Sequence, residues 1–215
     1  MCDPGVDDVV ALAVLVGAGR PPATVVATGG NLPGAAAGRI AAGACAFLGM
    51  DVPVLLAPGS GPRRAGSRHG DDGFVGLADQ LPVGRPLLPM NDLGGDMLVT
   101  APLSVVAAAG VSRDGRVLWQ GGGFNQEADP GAAEAVDCDV VPVDVSGRVT
   151  VDVDALEGPA LLVEAVRRYG PVLHDAVAAV AWYRPELFVW RQRRAVDVDA
   201  EAVRWEIASM LRRLP

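Results

Sequence analysis

The chain has 215 residues, half of them hydrophobic, and its 18 basic residues face 26 acidic ones for a formal charge of −8. That length is enough to bury one substantial core and predicts a single domain over 1–215. The acidic balance excludes nucleic-acid and anionic-membrane partners, which are held by clustered cations.

Every basic residue is Arg, with no Lys, which reflects codon usage and not physics. Cys2, Cys45 and Cys138 are odd in number and lack paired spacing, so they suggest neither a disulfide framework nor a zinc site and fit a reducing cytoplasm. No stretch reaches the roughly eighteen apolar residues of a membrane span, and no basic segment precedes an apolar one at the front. A soluble, unexported protein is therefore expected.

In chain order, Val9 to Gly19 reads as a buried helix stopped by glycine and then by Pro21 and Pro22. Thr24 to Thr28 is a β-branched strand running into Gly29-Gly30-Asn31, Ala35 to Leu48 a small-residue helix, and Val52 to Leu56 a second strand. From Pro58 to Asp96 the chain is rich in Gly, Pro, Arg and Asp. It reads as loop with at most a short helix near Val75 to Gln80, and a loop of that length usually covers a site.

Beyond it come a strand at Met97 to Thr100, a helix at Leu103 to Ala109, and a strand at Arg116 to Trp119 closing in Gly121-Gly122-Gly123. Pro130 to Val136 reads as helix, Val140 to Val143 as strand, and Ala160 to Tyr169 and Ala176 to Trp182 as helices. Val196 to Val198 is a last strand before an amphipathic helix at Ala200 to Leu214. The alternation predicts an α/β fold, a Rossmann-like, mostly parallel sheet with helices on both faces.

Four short stretches carry chemistry. Cys2-Asp3-Pro4-Gly5-Val6-Asp7-Asp8 places three carboxylates at a turn and the first turn of a helix. The helix N-terminus offsets part of their repulsion, and a hard divalent cation answers the rest. Calcium accepts carboxylate and carbonyl oxygens, whereas zinc wants His or Cys. The plainer alternative is acidic capping of a solvated loop. His174-Asp175 precedes an apolar helix, and His174 is one of two histidines. Asn31 and Asn125 each follow a strand, where open parallel sheets bind ligands.

Taken together, Asp-Pro-Gly-x-Asp-Asp, Gly-Asn after the Thr24 strand, His-Gly-x-Asp-Gly at His69 to Gly73, Thr-x-Pro-Leu-Ser at Thr100 to Ser104, Phe-Asn before Ala-Asp-Pro, and His-Asp before an apolar helix resemble, in order and spacing, the inosine-uridine-preferring nucleoside hydrolases. The likeness runs over nearly the whole chain. It implies the nucleoside hydrolase fold and calcium-dependent cleavage of the N-glycosidic bond of a small-molecule riboside, in a cytoplasmic homodimer or homotetramer.

By the same resemblance Asp3, Asp8, Asp175 and the Thr100 carbonyl hold Ca2+, and Asp3 is also the general base. Asp7, Asn125 and Asp175 hold the ribose, Asn31 stands beside the attacking water, and His174 protonates the leaving base, with Trp182 or Trp190 stacking on the base as an alternative. A second reading is a weakened relative that binds a riboside or serves assembly.

Three departures from the family pattern carry expectations of their own. The family has a strand and another Asp before Asp-Pro-Gly, so a central strand is expected to be missing; a start placed too far downstream, another segment or a subunit would account for the gap. Gly123 runs straight into Phe124 where the family has a loop giving an Asn and a Glu to the ribose. The stretch from Phe188 to Ala195 is read as too short for the strands that usually stand there, trimming the sheet edge.

Overall fold

A computed structural model describes residues 1–58, 68–91, 94–109 and 115–215. Among the described residues the strands are β1 (Val25–Ala27), β2 (Val54–Leu56), β3 (Leu88–Pro89), β4 (Met97–Val99), β5 (Val117–Gly121), β6 (Asp139–Pro142), β7 (Phe188–Arg191) and β8 (Arg194–Val198). The helices are α1 (Val6–Gly17), α2 (Gly34–Phe47), α3 (Ser104–Ala109), α4 (Gly123–Ala128), α5 (Pro130–Ala135), α6 (Val143–Ser146), α7 (Ala160–Tyr169), α8 (His174–Tyr183) and α9 (Ala200–Arg212). No helix among the described residues is long and apolar enough to cross a membrane.

The strands form two sheets, β1-β2-β3 and β4-β5-β6-β8-β7, parallel throughout except for the β7–β8 pair. Alternation along β5 shows why both faces are covered. Val117 and Trp119 join a small core with Met97, Val99, Leu103 of the β4–α3 turn and Val106 of α3, whereas Leu118 joins the large core built on α1, α2, α7, α8 and α9. The expected α/β architecture with helices on both faces is therefore present. Helix α8 lies at its centre: Ala176 to Ala181 are all buried, and their small side chains let α1 and the sheet approach.

Between β1 and β4 the sheet is interrupted where the missing strand was expected. Cys2 spans the interval, bridging in parallel to Ala27 on one side and Thr100 on the other. The Cys2 N–H donates to Val26 O at 2.9 Å, and the Thr28 N–H to Cys2 O at 2.9 Å. This pins Asp3, the next residue, at the carboxyl ends of both sheets.

Some expectations need correcting. Helix α1 begins at Val6, earlier than the apolar run suggested, so Asp7 and Asp8 lie in its first turn. Phe124-Asn125, to which no element was assigned, lies in helix α4, because Gly122 and Gly123 take positive φ (96° and 52°) and turn β5 directly into the helix. The stretch judged too short for strands holds most of a hairpin: Gln192 and Arg193 both take positive φ (45° and 65°), the two-residue turn that needs least chain. Of the long loop, 59–67 and 92–93 lie outside the described residues; the short helix is a 3-10 turn at Ala78–Gln80, and β3 was not anticipated.

Candidate active site

The carboxyl ends of β1, β4, β5 and β6 and the N-termini of α1 and α8 surround a cavity of about 260 Å³. Asp3, Asp7, Asn31, Thr100, Asn125, His174 and Asp175 line it, and Asp8 stands directly behind. Residues from the front of the chain and from its distal third thus meet at one point. Both helix N-termini present partial positive charge to the acids.

Asp3, Asp7, Asp8 and Asp175 are each at most 5% exposed, and no guanidinium is among the buried side chains of the described residues. One oxygen from each of Asp7, Asp8 and Asp175 lies within 4.8 Å of the others; Asp3 stands outside this closest trio but within reach of its field. Burial, then Asp7 beside it, pushes the Asp8 carboxyl up to about 7. Burial, then Asp8 and Asp7, raises Asp3 well above the carboxylate range, and burial with Asp7, Asp8 and Asp3 does the same to Asp175.

Each acid is held. Asp8 Oδ2 accepts from the Gly5 N–H at 2.9 Å and its Oδ1 from the Thr100 hydroxyl at 2.6 Å. Asp3 Oδ2 accepts from the Asn31 N–H at 3.2 Å, and Asn31 Nδ2 donates to Asp3 O at 2.9 Å. A side chain at Gly30 would overlap the Asp3 carboxylate, so this position needs glycine for the close approach. Thr100→Val removes a hydrogen bond that favours the charged form of Asp8. It is expected to lift the Asp8 midpoint above about 7, as read by carboxyl-carbon NMR titration without added metal; an unchanged midpoint would refute the role of that bond.

The donor set fits a hard divalent cation. Its atoms are carboxylate oxygens with the Thr100 oxygens adjacent. The nitrogen and sulfur alternatives are otherwise engaged: His69 Nδ1 accepts from the Val6 N–H at 2.9 Å, and the Cys2 thiol, raised by burial, points at Val26 O.

Several site residues escaped the sequence reading. His69 was seen only as part of a motif; accepting at Nδ1, its neutral ring carries the proton on Nε2, 3.7 Å from Asp7 Oδ1. Tyr169 stacks on His69 with centroids 4.8 Å apart and donates its hydroxyl to Asp7 Oδ2 at 3.2 Å. Ser146 contacts His174 Nδ1 at 2.7 Å. The Ser146 hydroxyl donates back to Pro142 O, the carbonyl four residues earlier in its turn, so the ring donates to Ser146 and its Nδ1 is fixed.

Gln120 ends β5. Asn125 Nδ2 donates to its Oε1 and backbone O at 3.1 and 3.2 Å, which sets the amide orientation and leaves Gln120 Nε2 as a buried donor with no hydrogen bond among the described residues. A polar residue at the carboxyl end of a Val-Leu-Trp strand was the available signal. Trp182 and Trp190, offered as base-stacking alternatives, do not line this cavity. Arg116 lies over the Trp182 ring, and the Trp190 indole donates to Pro185 O. Phe124 and Tyr169 are the phenyl-ring side chains that do line it.

No family model and no curated protein matches the sequence. Solved structures do match its shape. The purine-preferring ribonucleoside hydrolase from Gardnerella vaginalis superposes with a TM-score of 0.80 at 17% identity, over 98% of this chain and 96% of the other. The inosine-uridine preferring nucleoside hydrolase from Bacillus anthracis gives 0.76 at 15%, over 99% and 97%. The type III effector protein XopQ complexed with adenosine diphosphate ribose gives 0.67 at 16%, over 98% and 90%.

Proposed function

On the premise that this chain carries the nucleoside hydrolase fold, we propose that it hydrolyses the N-glycosidic bond of a ribonucleoside, with Ca2+ as its cofactor. One observation carries the reading: four buried carboxylates, with no buried guanidinium among the described residues, converge at the carboxyl ends of parallel strands beside buried amide side chains. An oxocarbenium-like transition state, with positive charge growing on the ribose, is what such a field favours.

Asp7, Asp8, Asp175 and Thr100 would hold the cation with Asp3 beside them, and when bound it supplies a Lewis acid and a fixed positive centre. Asp3 takes a proton from the attacking water. Asn31 fixes its carboxylate for that role. Asp7, already accepting from Tyr169, and Asn125 receive the ribose hydroxyls. His174, whose Nδ1–H is held by Ser146, delivers from Nε2 of its doubly protonated ring the proton that lets the base depart. The balance is one water added across the bond, its hydroxyl on the sugar carbon and a proton on the base.

Reducing-sugar release from inosine, uridine and p-nitrophenyl riboside tests the reading, and absence of turnover across the panel would reject it. Gln120→Leu removes the unpaired donor with little change of volume. It is expected to raise KM by about tenfold, since a hydrogen bond facing substrate is worth roughly 1–3 kcal/mol, with a smaller change in kcat. An unchanged KM would mean Nε2 does not face the substrate.

A second reading has its own support. Asn125 spends its amide on Gln120, β5 passes into α4 without a loop, and one structural neighbour was solved with adenosine diphosphate ribose. A riboside-binding protein without turnover would show saturable binding of such ligands and no sugar release.

A further inference from the structure

An aspartate in the first turn of a helix does not by itself present a fixed oxygen to a ligand, because rotation about its Cβ–Cγ bond is broad. Asp8 is held at both oxygens by Gly5 and Thr100, and Asp3 is held by Asn31. Asp7 Oδ2 accepts from the Tyr169 hydroxyl at 3.2 Å, a donor brought in from the last residue of α7. A phenol fixes a carboxylate without cancelling its charge, whereas a guanidinium in its place would neutralise the field that favours an oxocarbenium ion.

The phenol is in turn held by the helix that carries Asp7. His69 stacks on the Tyr169 ring, with planes 21° from parallel, and its Nδ1 accepts from the N–H of Val6, the first residue of α1. A β-carbon at Gly5 would overlap the His69 ring, so the glycine of Asp-Pro-Gly is what admits it. Val6, His69, Tyr169 and Asp7 thus close a circuit, with His69 Nε2 facing the other oxygen of Asp7 at 3.7 Å.

The segment behind His69 is tied down as well. His69 O accepts from the Val75 N–H at 2.6 Å, and the Asp72 carboxylate accepts from the N–H groups of Phe74, Gly76 and Ala78. Val75, a β-branched residue, takes a φ of 51°, a costly conformation that persists where its surroundings over-determine it. Arg168 of α7 donates to Val75 O at 3.3 Å. The helix bearing Tyr169 and the segment bearing His69 are therefore joined a second time.

We propose that Tyr169 is a positioning residue that sets ribose specificity: its hydroxyl aims the Asp7 carboxylate at one ribose hydroxyl, and His69 keeps the phenol in place by stacking on it. The inference rests on the riboside reading of the cavity and names the group through which the riboside is told from a deoxyriboside.

The test titrates the calcium-loaded chain by calorimetry with the C-nucleoside formycin B, in which a carbon–carbon link replaces the hydrolysable bond, and with its 2′-deoxy and 3′-deoxy forms. Tyr169→Phe keeps the stacked ring and removes the hydroxyl. It is expected to weaken formycin B about tenfold, the value of one hydrogen bond to a charged acceptor. It is expected to leave unchanged the one deoxy form that lacks the hydroxyl Asp7 receives. Calcium affinity, measured with the metal alone, is expected to match that of the unmodified chain. His69→Gln, which still offers the Val6 N–H an acceptor, should give the same pattern, and the double variant should be no weaker than either. An equal loss for all three ligands, additive losses, a calcium affinity that falls in step, or full formycin B affinity in Tyr169→Phe would overturn the proposal. An unmodified chain that binds none of the three ligands would instead overturn the riboside reading, and this inference with it.

Discussion

Asp3→Ala is expected to cut ribose release from inosine by about 10²–10⁴-fold, the range a positioned general base contributes, while raising the thermal midpoint of the metal-free protein. The two effects have opposite signs for one reason. Asp3 is buried against Asp8 and Asp7, which with burial hold it above the carboxylate range, so its removal relieves repulsion in the resting fold and takes away the group that accepts the proton from water. Calcium should still bind through Asp7, Asp8 and Asp175. Steady-state assays and calorimetry on the same preparation decide the matter: full activity would reject Asp3 as the base, and a lowered metal-free midpoint would show that the cluster is not frustrated as described.

The second large effect is the coupling of pH to cation binding. Asp8 has a folded midpoint of about 7 against an ordinary value of 3.8, and Asp3 and Asp175 shift in the same direction. Below the ordinary value both folded and unfolded chains are protonated, and the shift has no consequence. As pH rises the unfolded chain loses its proton first, so metal-free stability falls from about pH 4 to about pH 7 and, for Asp8, levels off above that. A divalent cation replaces the protons. Calcium at about a hundred times its Kd adds roughly 2.7 kcal/mol, which for a chain of this size is about 5–10 °C in Tm. The increment should be full near pH 8 and vanish toward pH 5, where protons compete for the same oxygens. A calcium shift independent of pH would place the ion elsewhere.

Much of the cavity was legible because its acids come in two dense clusters. Asp3, Asp7 and Asp8 sit within six residues, and His174-Asp175 opens an apolar helix; both stretches are unusual enough that their meeting followed from one resemblance. Asn31 and Asn125 were found just past strands whose ends are marked by glycines, and Thr100 came from the resemblance alone. Gln120 and Tyr169 were not, since Gln120 lies in a short apolar strand and Tyr169 closes an ordinary amphipathic helix, and only the third dimension brings Tyr169 to Asp7 across 162 positions. The β7–β8 hairpin was missed for a different reason: Gln192 and Arg193 are not the glycine or asparagine that usually takes positive φ, so nothing local announced the turn.

The burial of α8 between α1 and the sheet also bears on how the cavity comes into being. Its first turn carries Asp175, and its seat is formed by the earliest helix, so the constellation joins groups separated by most of the polypeptide, and closing such a span is slow compared with local folding. A nascent chain still lacking its distal third has the front acids but no opposite wall. On the proposed reading the capacity to grip an ion therefore arises in the final stage of assembly, and a ribosome-bound or clipped intermediate is expected to be blind to calcium until that distal third has emerged and docked.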